Sequence, residues 1–119
     1  MKGILTMKTI IKSKLYDTET AQKMLTLKEK WYWGDYIEEL YKKKNGEFFL
    51  YSPKQIKHDA SYGDAYYYFN CVLPEHLQHE IDYDKIRHFL PITETFAKDW
   101  TEKNFTVDEY IQIWGTPEE

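Results

Sequence analysis

The run Glu39-Leu40-Tyr41-Lys42-Lys43-Lys44-Asn45-Gly46-Glu47-Phe48-Phe49-Leu50-Tyr51 constrains this chain more than any other stretch. Asn-Gly tolerates positive φ at both centres of a two-residue turn, and apolar residues flank it on both sides, so the segment reads as a β-hairpin. A two-residue turn then sets the register. Lys44 faces Glu47, Lys43 faces Phe48, Lys42 faces Phe49, Tyr41 faces Leu50 and Leu40 faces Tyr51. Side chains alternate between the faces of a strand, which puts Tyr41, Phe48 and Leu50 on one side and Leu40, Phe49 and Tyr51 on the other. Both faces are apolar, so either helices cover both or one aromatic face stays open for a partner.

Around this hairpin the remaining signals predict a small α+β fold: an antiparallel sheet of about four strands, packed by one N-terminal and two C-terminal helices. Lys8 to Tyr16 is β-rich with spaced lysines, the pattern of an edge strand that resists pairing with other chains. Asp17 or Thr18 is placed to cap a helix that carries Ala21, Met24, Leu25 and Lys28 and ends near Trp31. Ser52 to Asp64 has loop composition, Ala65 to Val72 reads as a strand, and Pro74 opens a short helix reaching Ile81. Lys85 to Pro91 is the last strand, with Ile86, His88 and Leu90 pointing one way. Thr93 caps a helix bearing Phe96, Ala97 and Trp100. Thr106-Val107-Asp108-Glu109 matches the capping box; Val107, Tyr110, Ile111 and Trp114 follow at i, i+3, i+4 and i+7, ahead of a stop at Gly115 and Pro117.

The length of 119 residues suits one domain over 1–119, with residues 1–7 read as a loose N-terminal extension. No window approaches the roughly 18 apolar residues of a membrane helix, and Met1 to Thr6 lacks the apolar run of a signal peptide, so a cytoplasmic protein is expected. Cys71 is the sole cysteine, which excludes a disulfide scaffold and leaves folding to the core. Aromatic residues make up 18% of the chain, with 11 Tyr, 6 Phe and 4 Trp. That is more ring than a core of this size needs, and Tyr is favoured at protein interfaces for its large contact area and polar tip.

Charge is distributed unevenly. Residues 1–58 carry 12 Lys and 7 acids, whereas 59–119 carry 3 Lys, 1 Arg and 13 acids, giving +5 and −9. A basic half suits phosphates and an acidic half suits a basic protein groove; alternatively the two halves attract one another in the folded chain.

Catalytic signatures are weak. Glu75-His76-Leu77-Gln78-His79-Glu80 is the one metal-like cluster, but His76 and His79 stand at i, i+3 with no second cluster, so no metal or cofactor is expected. Cys71 sits in an apolar strand and reads as a small hydrophobe, and no glycine-rich phosphate loop or nucleophile elbow occurs. No enzyme is expected. Two binding surfaces remain. Lys42, Lys43 and Lys44 lie beside Tyr41 and Phe49, a combination of cations and rings that suits RNA or DNA. Tyr62, Tyr66 and Tyr68 belong to the densest aromatic patch, within the acidic half.

Three segments resemble a family of small, mostly uncharacterised proteins of Gram-positive bacteria, their phages and mobile elements. They are Lys14 to Ala21, Glu39 to Leu50, and Pro91 to Trp100 continuing through Asp108-Glu109-Tyr110 to Glu119, a little over half the chain in order. The resemblance implies a small α+β fold and a mobile-element origin. Genes of this sort sit among anti-defence proteins, including inhibitors of Cas9-type CRISPR effectors. It carries no catalytic residues, and residues 52–84 depart from it, being Tyr-rich and acidic where relatives have a Gly-rich loop. The expected function is therefore a non-catalytic inhibitor of a bacterial defence effector such as a Cas9-type nuclease. Tyr62, Tyr66, Tyr68, Asp82, Asp84, Asp99, Glu102, Asp108 and Glu109 would form its partner-binding surface. The alternative is a small nucleic-acid-binding regulator that uses Tyr41, Lys42, Lys43, Lys44 and Phe49.

Overall fold

The computed structural model describes residues 7–31, 34–53 and 88–119. The strand expected over 65–72, the helix over 74–81, Cys71, His76 and His79 lie outside these residues, as do Tyr62, Tyr66, Tyr68, Asp82 and Asp84. Six strands and two helices are described: β1 (Lys8–Ile11), β2 (Lys14–Asp17), β3 (Gln22–Trp31), β4 (Gly34–Lys42), β5 (Phe48–Tyr51), β6 (Phe89–Ile92), α1 (Glu94–Asn104) and α2 (Val107–Trp114). β1 and β2 form a two-stranded antiparallel ribbon; β3-β4-β5-β6 form a four-stranded antiparallel sheet in that order.

Two expectations about the N-terminal third are corrected. The single strand over 8–16 is a hairpin, folded at Lys12 and Ser13 with φ of 51° and 66°. Both values fall in the left-handed region that two-residue hairpin turns require, and neither residue signals it. The ribbon continues to Met7, whose carbonyl accepts from the Thr18 N–H at 3.0 Å.

The expected N-terminal helix is strand β3. Asp17 does supply capping chemistry, but its Oδ1 accepts from the Glu19 N–H at 2.9 Å and its carbonyl accepts from the Ala21 N–H at 3.1 Å, closing a local turn that is not propagated. Beyond it the chain pairs with β4 from Gln22↔Lys42 to Trp31↔Gly34, with a bulge between Lys23 and Leu25 that takes up Met24. Leu25 and Leu27 satisfy a period of two as well as Ala21, Met24, Leu25 and Lys28 satisfy a helix, and ladder pairing over ten residues decides between them.

The hairpin at Asn45-Gly46 forms, one residue out of the expected register. Its partners are Glu39↔Tyr51, Leu40↔Leu50, Tyr41↔Phe49 and Lys42↔Phe48. The Lys43 N–H donates to the Glu47 carbonyl at 2.7 Å and the Gly46 N–H to the Lys43 carbonyl at 2.9 Å, so the loop is Lys44-Asn45-Gly46 and only Gly46 has positive φ, +94°. This is the three-residue hairpin loop closed by glycine, in place of the two-residue turn.

One face of the sheet therefore carries Leu40, Phe48, Leu50, Leu90 and Ile92, and the other Tyr41, Phe49, Tyr51, Phe89 and Pro91. Both are buried. α1 supplies Ala97 and Trp100 to the core; the Trp100 Nε1–H donates to buried Glu38 Oε1 at 2.7 Å, and Tyr36 O–H donates to the other carboxylate oxygen. On the second face, Tyr16 of the ribbon meets Phe49 edge-on at 5.5 Å while Tyr41 stacks on Phe49 at 5.1 Å. Helices cover one face and the ribbon the other.

The C-terminal pair follows expectation. Thr93 Oγ1 accepts from the Phe96 N–H at the start of α1, Thr106 and Glu109 complete the capping box of α2, and Gly115 ends it at φ 86°. α2 is anchored at its far end, where Trp114 lies 5.3 Å from Phe48 and its Nε1–H donates to Thr101 Oγ1 at 3.1 Å. No helix among the described residues is long and apolar enough to cross a membrane.

Candidate functional site

At the hairpin, the structure uses most of the groups proposed for nucleic acid. Phe49 is 0% exposed and Tyr41 4%, and they stack on each other, so neither ring is presented to a base. Burial, and then the charge of Glu39, raise the Tyr41 hydroxyl pKa. Lys43 Nζ sits 4.0 Å above the Tyr16 ring and 2.9 Å from Glu47 Oε1; Lys14 Nζ is 2.5 Å from Glu47 Oε2. Asn45 Nδ2–H adds a third donor at 3.1 Å. Partial burial alone would raise the Glu47 pKa, but these three donors outweigh it and hold the carboxyl at about 2. Lys42 and Lys44 remain exposed, Lys42 with its ammonium 5.7 Å from the Phe48 ring centre. Beside the loop, a cleft of about 350 Å³ is bordered by Lys14, Lys43, Lys44, Asp17 and Leu15. Glu47, which ties ribbon to hairpin, was not visible from spacing, because Lys14 lies 33 residues away.

The acidic candidates lie on the C-terminal pair. Asp99 and Glu102 occupy one outward stripe of α1, opposite buried Ala97, Trp100 and Thr101. Asp108 is exposed in the first turn of α2. Glu109 is exposed but engaged: its Oε1 accepts from the Thr106 N–H at 2.8 Å and from the Thr106 hydroxyl at 3.0 Å. Glu102 sits at the α1–α2 corner beside Thr106 and Val107, Asp99 lies one turn back along α1, and the first turn of α2 carries Asp108 and Glu109, the latter already engaged in the helix cap.

That corner also holds a feature the sequence pattern obscured. Val107, Tyr110, Ile111 and Trp114 stand at helical spacing as one apolar stripe, yet α2 buries no residue fully and Val107 is 73% exposed. Val107, Tyr110 and Ile111 line an open cleft of about 230 Å³ with Phe105, Pro117 and Glu102. Phe105 precedes the cap and Tyr110 is the fourth helical residue, the two positions of a hydrophobic staple. That staple was readable from spacing; its openness to solvent was not.

Among the described residues no group of three His, Cys, Asp or Glu side chains is placed to hold a metal ion. Comparison of the chain with protein-family models, with curated proteins and with solved structures found no match.

Proposed function

We propose that this chain is a non-catalytic binding protein that inhibits a bacterial defence effector by laying its acidic C-terminal helix pair into a basic nucleic-acid groove of that protein. One observation carries this reading. The ion pairs formed between described residues, Lys14–Glu47, Lys43–Glu47, Lys23–Glu39, Lys28–Asp35 and Lys98–Glu94, each join partners within the same half of the chain. The basic half thus spends several of its lysines on its own acids. Residues 94–119 hold seven acids against two lysines, and Asp99, Glu102 and Asp108 project to solvent. Uncompensated surface carboxylates steer a protein towards a basic partner and away from phosphates. Tyr62, Tyr66 and Tyr68 would anchor the same contact, and a Cas9-type nuclease is the partner that the family resemblance suggests.

The test is competition. The full chain is titrated into a purified Cas9–guide RNA complex, and capture of a labelled target duplex is measured. Displacement that the triple variant Asp99→Lys/Glu102→Lys/Asp108→Lys abolishes, while Lys44→Ala leaves it intact, supports the reading. Direct binding of bare RNA or DNA that weakens with salt and with Lys44→Ala would replace it by the nucleic-acid-binding alternative.

A further inference from the structure

We propose that the cleft at the α1–α2 corner accepts one large apolar side chain carried on a basic, exposed segment of the partner protein. This rests on the acidic-surface reading above and names what part of the partner that surface would grip. At about 230 Å³ the cleft falls below the roughly 300–1,000 Å³ typical of small-molecule sites, yet leaves room for a Leu or Phe side chain. Its walls are mostly apolar, with Glu102 and Thr106 as the polar members, and Val107 on its lip is 73% exposed, against 57% for Ile10, 47% for Leu15 and 41% for Met7. A valine left in water at the first turn of a helix gains from being covered.

Charge selects the occupant. Glu102 is part of the cleft wall, Asp108 follows Val107 in the chain, and Asp99 stands one turn before Glu102 on the same stripe. A second copy of this chain would set these acids against themselves, because a two-fold interface brings identical patches together. An acidic segment would meet the same repulsion. Flanking Lys or Arg on the incoming segment would pair with the rim while its apolar side chain fills the cleft. This is the arrangement of a buried anchor within a charged rim.

The probe is a fluorescein-labelled hexapeptide, Lys-Arg-Leu-Phe-Arg-Lys, titrated with the full-length chain by fluorescence anisotropy at low ionic strength. Two counterparts accompany it, one with Ser-Ser at the centre and one with Glu at the four flanking positions. The Leu-Phe peptide is expected to bind about tenfold or more tightly than the Ser-Ser peptide, and the Glu-flanked peptide not at all. Val107→Ser, at an exposed position, removes most of that tenfold difference and leaves the Ser-Ser peptide unchanged, whereas Glu102→Gln with Asp108→Asn weakens both basic peptides. Equal binding of the two basic peptides, or no effect of Val107→Ser, overturns the proposal. So does a concentration-dependent dimer in sedimentation that Val107→Ser dissolves, since the occupant is then a second copy. A tenfold preference without displacement of target DNA from the nuclease overturns the functional reading alone. Displacement that persists without the preference overturns the cleft alone.

Discussion

Glu47 offers the sharpest test of how the ribbon is held to the sheet. Its carboxylate receives Lys14 at 2.5 Å, Lys43 at 2.9 Å and Asn45 at 3.1 Å, and its pKa falls from 4.5 to about 2. That drop corresponds to about 3 kcal/mol. The Glu47 side chain is 28% exposed and Lys14 is 40% exposed, so solvent screening reduces the expected contribution to about 2 kcal/mol. The sign follows from the depressed folded-state pKa. Stabilisation is complete above the unfolded value near 4.5 and is lost progressively as pH falls from there towards 2. Urea denaturation of the wild type and Glu47→Gln at pH 7, 5, 4 and 3.5 measures this directly. The variant should be less stable by about 2 kcal/mol at pH 7, and the gap should narrow by about 1 kcal/mol at pH 3.5, where the unfolded wild type takes up a proton that the folded state refuses. A gap of the same size at pH 7 and pH 3.5 would refute the electrostatic account. Glu47 would then act only through the shape of the loop.

Two further substitutions test local features. Ser13→Gly removes a left-handed strain of about 1–2 kcal/mol at φ 66° and costs about 0.5–1 kcal/mol of chain entropy, so the urea midpoint should rise by the equivalent of about 0.5–1 kcal/mol; a fall would mean the turn is not strained. Ser52 is fully buried and its Oγ has no partner among the described residues, while its backbone N–H and carbonyl bond to His88 at 2.9 and 3.1 Å. Ser52→Ala should therefore raise thermal stability by about 1 kcal/mol, and a lowered melting temperature would show that the hydroxyl is satisfied.

The elements legible in the sequence are those whose partners are close in the chain. The capping box of α2 bonds residues three apart, and Thr93 bonds Phe96, also three apart. The Asn45-Gly46 hairpin was legible as a hairpin because Gly46 must take positive φ, but its register was not. Asn45 Oδ1 accepts from the Glu47 N–H at 3.0 Å, a side-chain turn that lengthens the loop by one residue. That single residue exchanges the faces of Phe48, Phe49, Leu50 and Tyr51 relative to Tyr41. The core residues survive the error because all of them are apolar and both faces are covered. Strand β3 was illegible for a different reason: its apolar spacing fits both periods, and only β4, which lies later in the chain, decides between them.

The same distinction governs the site. The sequence left open whether the basic and acidic halves exist to attract one another; among the described residues, the ion pairs Lys14–Glu47, Lys43–Glu47, Lys23–Glu39 and Lys28–Asp35 stay within the basic half, and Lys98–Glu94 stays within the acidic half. Glu47 absorbs Lys14 and Lys43, Glu39 absorbs Lys23, Asp35 partners Lys28, and none of these lysines reaches a carboxylate of α1 or α2. Surface pairs of this kind stabilise little individually, yet each one lowers the positive field available to a phosphate. Asp99, Glu102 and Asp108 are exposed, and Glu102 shares a cleft with Val107, the residue before Asp108. Charge without an apolar anchor gives steering but little residence time, and an apolar lip without charge gives no choice of partner. The α1–α2 corner holds both within two helical turns, so an isolated charge reversal there should slow association while Val107→Ser should hasten release, a kinetic division that a merely solvated acidic face would not show.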